Sequence, residues 1–223
     1  MIRAESGIKG LDEIIEGGFP FPSVILVAGE PGTGKTTFSM QSLFHGAKKG
    51  EGGMYFTAIS EPVDQVHKFM SKYSFYDRKL VDDGMIKFMD VGEILVKEGP
   101  TKAFEMIVNI VRKENIKRAV IDPISPFSYV FDTRQSYRKF LHDFFVTLRA
   151  LETLTILVAE TPPQEVTKEE VSYMADGLIL LHLQPSENPA IFKPGIQIRK
   201  MKGTEHSKDI LRLGFTKDGM RLL

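Results

Sequence analysis

Residues 29–36 read Gly-Glu-Pro-Gly-Thr-Gly-Lys-Thr, the pattern G-x-x-x-x-G-K-[ST]. Each residue type has a use in holding phosphate. Gly32 and Gly34 let the backbone come close to an anion and turn its N–H groups inward. A helix opening at Thr36 adds partial positive charge at the same point. Lys35 supplies a mobile ammonium for the β and γ oxygens of a nucleoside triphosphate, and the Thr36 hydroxyl is a ligand for Mg2+. The expected nucleotide cradle is Glu30, Pro31, Gly32, Thr33, Gly34, Lys35, Thr36 and Thr37. Asp122 closes the apolar run Ala119-Val-Ile. A carboxylate at such a strand end holds Mg2+ through water, so Thr36 and Asp122 form the expected metal pair.

These groups need rigid elements to aim them. Residues 23–28 are apolar and β-branched, as suits a strand covered on both faces. Residues 36–49 read as a helix closed by Gly50. Residues 54–59, 85–91, 119–122, 155–159 and 177–183 read as further strands, and two stretches carry helical apolar spacing. These are Ala103 to Val111 and Phe140 to Leu151. Strands alternating with helices predict an α/β fold of the P-loop NTPase type, a mostly parallel twisted sheet flanked by helices. From about Ile196 the long helices stop. Residues 196–201, 210–215 and 220–222 read as strands, with Asp218-Gly219 as a hairpin signal. The expectation is an antiparallel C-terminal extension of the same sheet, within one domain spanning residues 1–223.

Composition narrows the classes. The 223 residues hold 29 basic and 29 acidic side chains, with no Cys and no Trp. Zero Cys excludes a disulfide scaffold, a thiolate zinc site and a cysteine nucleophile. Charge balance argues against a polybasic nucleic-acid coat. No apolar run approaches the ~20 residues of a membrane-spanning helix. The N-terminus lacks the apolar core of a signal peptide. A cytoplasmic protein is the default expectation. The zero net charge is an average, because residues 193–223 hold eight Lys/Arg against three Asp/Glu. His45, His67, His142 and His182 show no metal-site pairing and read as surface or helix-packing residues.

Three further segments carry a resemblance. Gly7-Ile-x-Gly-Leu-Asp-Glu-Ile leads to Gly17-Gly18-x-Pro20, Met54-Tyr-Phe-Thr-Ala-Ile-Ser-Glu61-Pro62 follows the loop, and Lys200-Met-Lys-Gly203-Thr-x-His206 lies near the C-terminus. With residues 29–36 they resemble the KaiC-like branch of the RecA/RadA ATPases over almost the whole chain. The resemblance implies a RecA-like core, ATP and Mg2+ as ligands, and homohexamers with nucleotide at subunit interfaces. Lys35, Thr36 and Asp122 match the family positions. Lys200 matches the first residue of the family's K-x-R-G segment, Lys202 replaces its Arg, and His206 falls on a third family position. In relatives these groups reach the phosphates bound to the neighbouring subunit. A Lys in place of Arg keeps the charge and loses the bidentate fork. Where many relatives carry Glu-Glu, this chain has Ser60-Glu61, so Glu61 is the candidate to orient the attacking water. Asp122-Pro123 replaces the usual Asp-Ser.

The expected catalytic set is Lys35, Glu61, Lys200 and Lys202, with His206 added to the nucleotide contacts. Two functions follow from it: slow ATP hydrolysis in a regulatory or signalling homo-oligomer, or nucleotide sensing with little hydrolysis. A third reading, a recombinase paralogue, needs nucleic-acid loops. Residues 123–133 offer Phe127, Tyr129 and Phe131 without a basic residue, and residues 161–167 offer none either. Stacking without phosphate contacts binds strands weakly, which argues against nucleic acid. Ser172 and Tyr173 stand where a kinase-domain relative is phosphorylated, but such hydroxyls commonly serve local hydrogen bonds.

Overall fold

The computed structural model describes residues 1–58, 63–185 and 191–223. The N-terminal segment contributes β1 (Arg3–Ala4) and β2 (Phe19–Pro20), a small antiparallel pair flanking a 3-10 turn at Asp12–Ile15. Then come β3 (Ser23–Gly29), α1 (Lys35–Lys48), β4 (Gly53–Thr57), α2 (Val63–Met70), α3 (Arg78–Asp82) and β5 (Ile86–Asp90). The middle of the chain forms α4 (Gly92–Glu98), α5 (Pro100–Lys113), β6 (Arg118–Asp122), α6 (Arg134–Arg149) and β7 (Leu154–Ala159). It closes with α7 (Pro163–Val166), α8 (Glu170–Met174), β8 (Gly177–Pro185), β9 (Phe192–Met201), β10 (Ile210–Thr216) and β11 (Gly219–Leu222).

Nine strands form one sheet in the order β11-β10-β9-β8-β3-β7-β6-β4-β5. The pairs from β8 to β5 are parallel, and those from β8 out to β11 are antiparallel. This is the α/β sheet with an antiparallel C-terminal extension that the alternating pattern predicts. The central strand explains its own composition. Successive strand residues face opposite sides, and both sides of β3 are covered. Val24, Leu26 and Ala28 join the core under α5 and α6, with Phe104, Phe140 and Phe144. Ile25 and Val27 join the core under α1, with Phe38 and Phe44. Each such fully buried large side chain contributes roughly 1.5–3 kcal/mol.

Several expectations shift by a residue or two. The helix after the loop runs Lys35–Lys48 rather than 36–49. The strand expected at 85–91 stops at Asp90, because Asp90 Oδ1 accepts from Gly92 N and the chain turns at once into α4. That helix was not expected, and Val91 becomes its N-cap instead of a strand residue. The strand expected at 54–59 runs Gly53–Thr57, and Ile59 lies outside the described residues. His182 corrects the expectation of a surface or helix-packing role. It sits on β8 with its Nε2 buried and unpartnered, and burial lowers its pKa. Among the described residues no helix is long and apolar enough to cross a membrane.

Candidate functional site

The phosphate loop leaves the sheet at Gly29 and enters α1 at Lys35. Gly34 is the helix N-cap, with φ of 96° and no side-chain cap, so the first-turn N–H groups keep no competing side chain. Any Cβ there would also land 2.6 Å from the Phe215 ring. Thr33 braces the loop by donating from Oγ1 to Glu30 O at 2.8 Å. Lys35 is 8 % exposed, and its Nζ donates to Gly29 O at 2.9 Å and Glu30 O at 3.0 Å. Burial holds the Lys35 ammonium below its ordinary pKa, while the charges of Glu160 and Asp122 oppose that shift.

Asp122 ends β6, half-buried, two strands away from the loop. Its Oδ2 accepts from Thr36 Oγ1 at 2.9 Å and from Tyr55 Oη at 2.7 Å. Burial pushes the Asp122 carboxyl up, and those two hydrogen bonds and the Lys35 charge pull it back. A hydroxyl and a carboxylate this close, beside a buried ammonium and open helix N–H groups, fit Mg2+ and a phosphate chain. Among the described residues there is no separate group of three metal-ligating side chains.

Four residues of this region, Tyr73 among them, escape sequence reasoning. Tyr55 is one. Thr57 pairs with Asp122, so Tyr55, two residues earlier, shares that face and reaches the carboxylate. The signal is visible only once the register of β4 on β6 is known. The second is Phe215, delivered by β10 to a cleft of ≈ 460 Å³ that also holds Gly34, Lys35, Thr36 and Asp122. Tyr73, the third, lines the same cleft. Its loop is tied to the β10–β11 hairpin by Ser74 N to Lys217 O at 2.8 Å, and by Ser74 Oγ to Asp218 Oδ1 at 2.7 Å. Gln41 of α1 clasps Met220 through both its amide atoms, at 2.7 and 3.0 Å. The hairpin is thereby anchored to the helix that starts at the phosphate loop. The fourth is Glu160, directly after β7, which lines this cleft and a neighbouring cavity of ≈ 570 Å³.

The remaining expected residues lie elsewhere. Lys200 on β9 pairs with Leu178, and Leu178 is level with Leu26 of β3. That is three residues, about 10 Å, behind the start of the phosphate loop. Lys200 Nζ donates to Ser172 O at 3.2 Å and Tyr173 O at 2.8 Å. Lys202 Nζ pairs with Asp176 at 2.9 Å. His206 is half-buried, with Nδ1 3.0 Å from Ser207 O. Within one chain these three are not brought to the cleft. Ser60 and Glu61 lie outside the described residues. Phe127 is fully buried in the core, Phe131 packs on Phe140, and Tyr129 is 74 % exposed. Ser172 is buried and donates to Glu169 O at 2.8 Å, a local bond as expected.

With this geometry in view, the family description "ATPase: KaiC" matches residues 4–223. The chain belongs to the KaiC-like ATPases. A UPF0273 protein of Methanopyrus kandleri is 32% identical, over 99% of this chain and 91% of that protein. A circadian clock oscillator protein KaiC of Parathermosynechococcus lividus is 27% identical over 99% of this chain, which spans 42% of that longer protein. The crystal structure of a KaiC-like protein from Pyrococcus horikoshii superposes with a TM-score of 0.85 at 30% identity, covering 100% of this chain and 99% of that one. Membership of this family agrees with the nine-stranded RecA-like sheet and identifies an ATP-binding RecA-like ATPase.

Proposed function

We propose that residues 1–223 act as one unit that binds Mg·ATP and hydrolyses it slowly at the subunit interfaces of a homo-oligomer in a regulatory role. Thr36 and Asp122 would hold Mg2+, which neutralises charge on the phosphates when bound. Lys35 and the loop N–H groups would hold the β and γ oxygens. Glu30, Pro31, Gly32, Thr33, Gly34 and Thr37 complete the cradle. The observation that carries the interface reading is the position of Lys200 and Lys202. Their ammonium groups lie at the end of the sheet away from their own phosphate loop. That charge is turned away from the nucleotide in the same chain, so the reading assigns it, with His206, to a nucleotide held by another copy. Burial lowers the pKa of the Lys200 ammonium.

The test is complementation between two inactive variants. Lys35→Ala removes the cradle lysine, and Lys200→Ala/Lys202→Ala removes the groups acting on a neighbour. Each alone should lose at least 10-fold in ATP turnover. Mixed, they should recover about a quarter of wild-type turnover, because some interfaces then combine an intact cradle with intact lysines. No recovery, with mixed oligomers shown by mass measurement, would sink the interface reading.

Ser60 at the usual glutamate position favours a second reading, a nucleotide-sensing assembly module with little hydrolysis. It would show ATP-dependent change in oligomer mass without phosphate release.

A further inference from the structure

We infer that Tyr55 is a positioning residue for the metal. Its phenol fixes the Asp122 carboxylate so that hydroxyl donors fill one oxygen and the other is left for a water bound to Mg2+. This rests on the Mg·ATP reading above. Asp122 is followed by Pro123, which offers neither a hydroxyl nor a backbone N–H. The carboxylate must take its donors from other elements. Strand β4 runs parallel to β6, with Thr57 level with Asp122 and Tyr55 level with Val120. Residues two apart on a strand share a face, so the Tyr55 side chain starts on the Asp122 face, about 7 Å behind it. The long phenol spans that step, and its Oη donates to Asp122 Oδ2 at 2.7 Å.

The ring is held on both sides. Tyr55 is buried. Towards β5 it pairs with Phe88, whose ring centroid lies 5.6 Å away at an interplanar angle of 43°. Towards β6 it pairs with Val120, which is also buried. A donor locked by packing keeps its direction whether or not a metal is bound.

Lone pairs decide what the contact does. A carboxylate oxygen accepts about two hydrogen bonds. Asp122 Oδ2 accepts one from Tyr55 Oη and one from Thr36 Oγ1, and is thereby filled. The Thr36 hydroxyl gives its proton to that bond and keeps its lone pairs for Mg2+. Among the described residues Asp122 Oδ1 receives no hydrogen bond, so it is the acceptor left for a metal-bound water. Without the phenol, Oδ2 keeps a single donor, and the carboxylate is free to turn about its Cβ–Cγ bond. Groups that orient metal ligands in this way change metal affinity roughly 10–100-fold when removed.

The experiment compares wild type, Tyr55→Phe, Asp122→Ala and the double variant. A non-hydrolysable ATP analogue is titrated with and without Mg2+, and Mn2+ is titrated onto the analogue complex by electron paramagnetic resonance. Tyr55→Phe keeps the ring and loses only the hydroxyl. It should weaken Mn2+ about 10-fold and leave metal-free affinity for the analogue within about 2-fold, which also shows that the variant is folded. In the Asp122→Ala background, Tyr55→Phe should change Mn2+ affinity less than about 2-fold, because the phenol has no carboxylate left to aim. Mn2+ affinity of Tyr55→Phe within about 3-fold of wild type overturns the proposal. So does an equal loss of metal-free affinity, or a full further loss on top of Asp122→Ala. Should Mg2+ fail to strengthen analogue binding by wild type, the Thr36–Asp122 metal pair fails by itself, and the role of Tyr55 is overturned with it.

Discussion

Lys35 and Lys200 make the same kind of contact at two different levels of the sheet. Each points its ammonium at two backbone carbonyls, and burial lowers the pKa of both. The difference lies in where the carbonyls come from. Those of Lys35 belong to residues five and six positions away, in the same loop. Those of Lys200 belong to α8, 27 and 28 positions away. One site is a local loop closed on itself. The other exists only because β9 runs antiparallel to β8 and returns to the base of the sheet. A locally built site should be brittle to one backbone change. A site built from distant pieces should respond to the pair that holds the pieces together.

The largest expected effect is at the local end. Gly34→Ala puts a methyl group 2.6 Å from Phe215 and demands φ of 96° from an L residue. Nucleotide affinity should fall at least 100-fold, read by titration with a fluorescent nucleotide, with the far-ultraviolet spectrum unchanged. Affinity within 3-fold of wild type would show that the loop is less local than its contacts indicate.

A smaller effect is expected at the distant end. Asp176 joins Lys202, Arg149 and the Val24 backbone N–H at the start of β8. Burial pushes the Asp176 carboxyl up, but the hydrogen bonds from Lys202 and Arg149 outweigh it and hold the group below its ordinary value. Asp176→Ala should cost ~1.5–3 kcal/mol in urea unfolding and leave nucleotide affinity within about 2-fold. The stabilisation is present above a pH of about 3.9 and lost as pH falls through the lower folded-state value. A matching loss of nucleotide affinity would mean that the two ends are coupled.

The smallest effect concerns His182, on the strand beside the phosphate loop. Burial depresses its pKa, and Gln197 and Glu30 oppose that shift. The folded state then binds fewer protons than the unfolded chain, so stability is full above a pH of about 6.5 and falls as pH drops below it. His182→Gln should flatten the dependence of Tm on pH between about 6.5 and 5. An unchanged slope would assign that dependence to other groups.

The sequence by itself determines the local end of this protein. A buried strand, a glycine loop, Lys35, Thr36 and a helix are contiguous, so residue type and spacing specify both geometry and chemistry. Asp122 is legible for a related reason, since a carboxylate at the end of an apolar strand has few other places to go. The alternation of strands and helices likewise fixes the parallel sheet, because crossovers must cover both faces. Only the tertiary structure decides the rest. Tyr55 reaches Asp122 through the register of β4 on β6, Phe215 closes over Gly34 from the C-terminal hairpin, and Glu160 stands between the two halves of the site by strand order. Each of these contacts joins residues many positions apart, and spacing along the chain carries no information about them. The same holds for Lys200 and Lys202, whose family motif is visible in the sequence but whose distance from their own phosphate loop appears only when β9 is laid against β8.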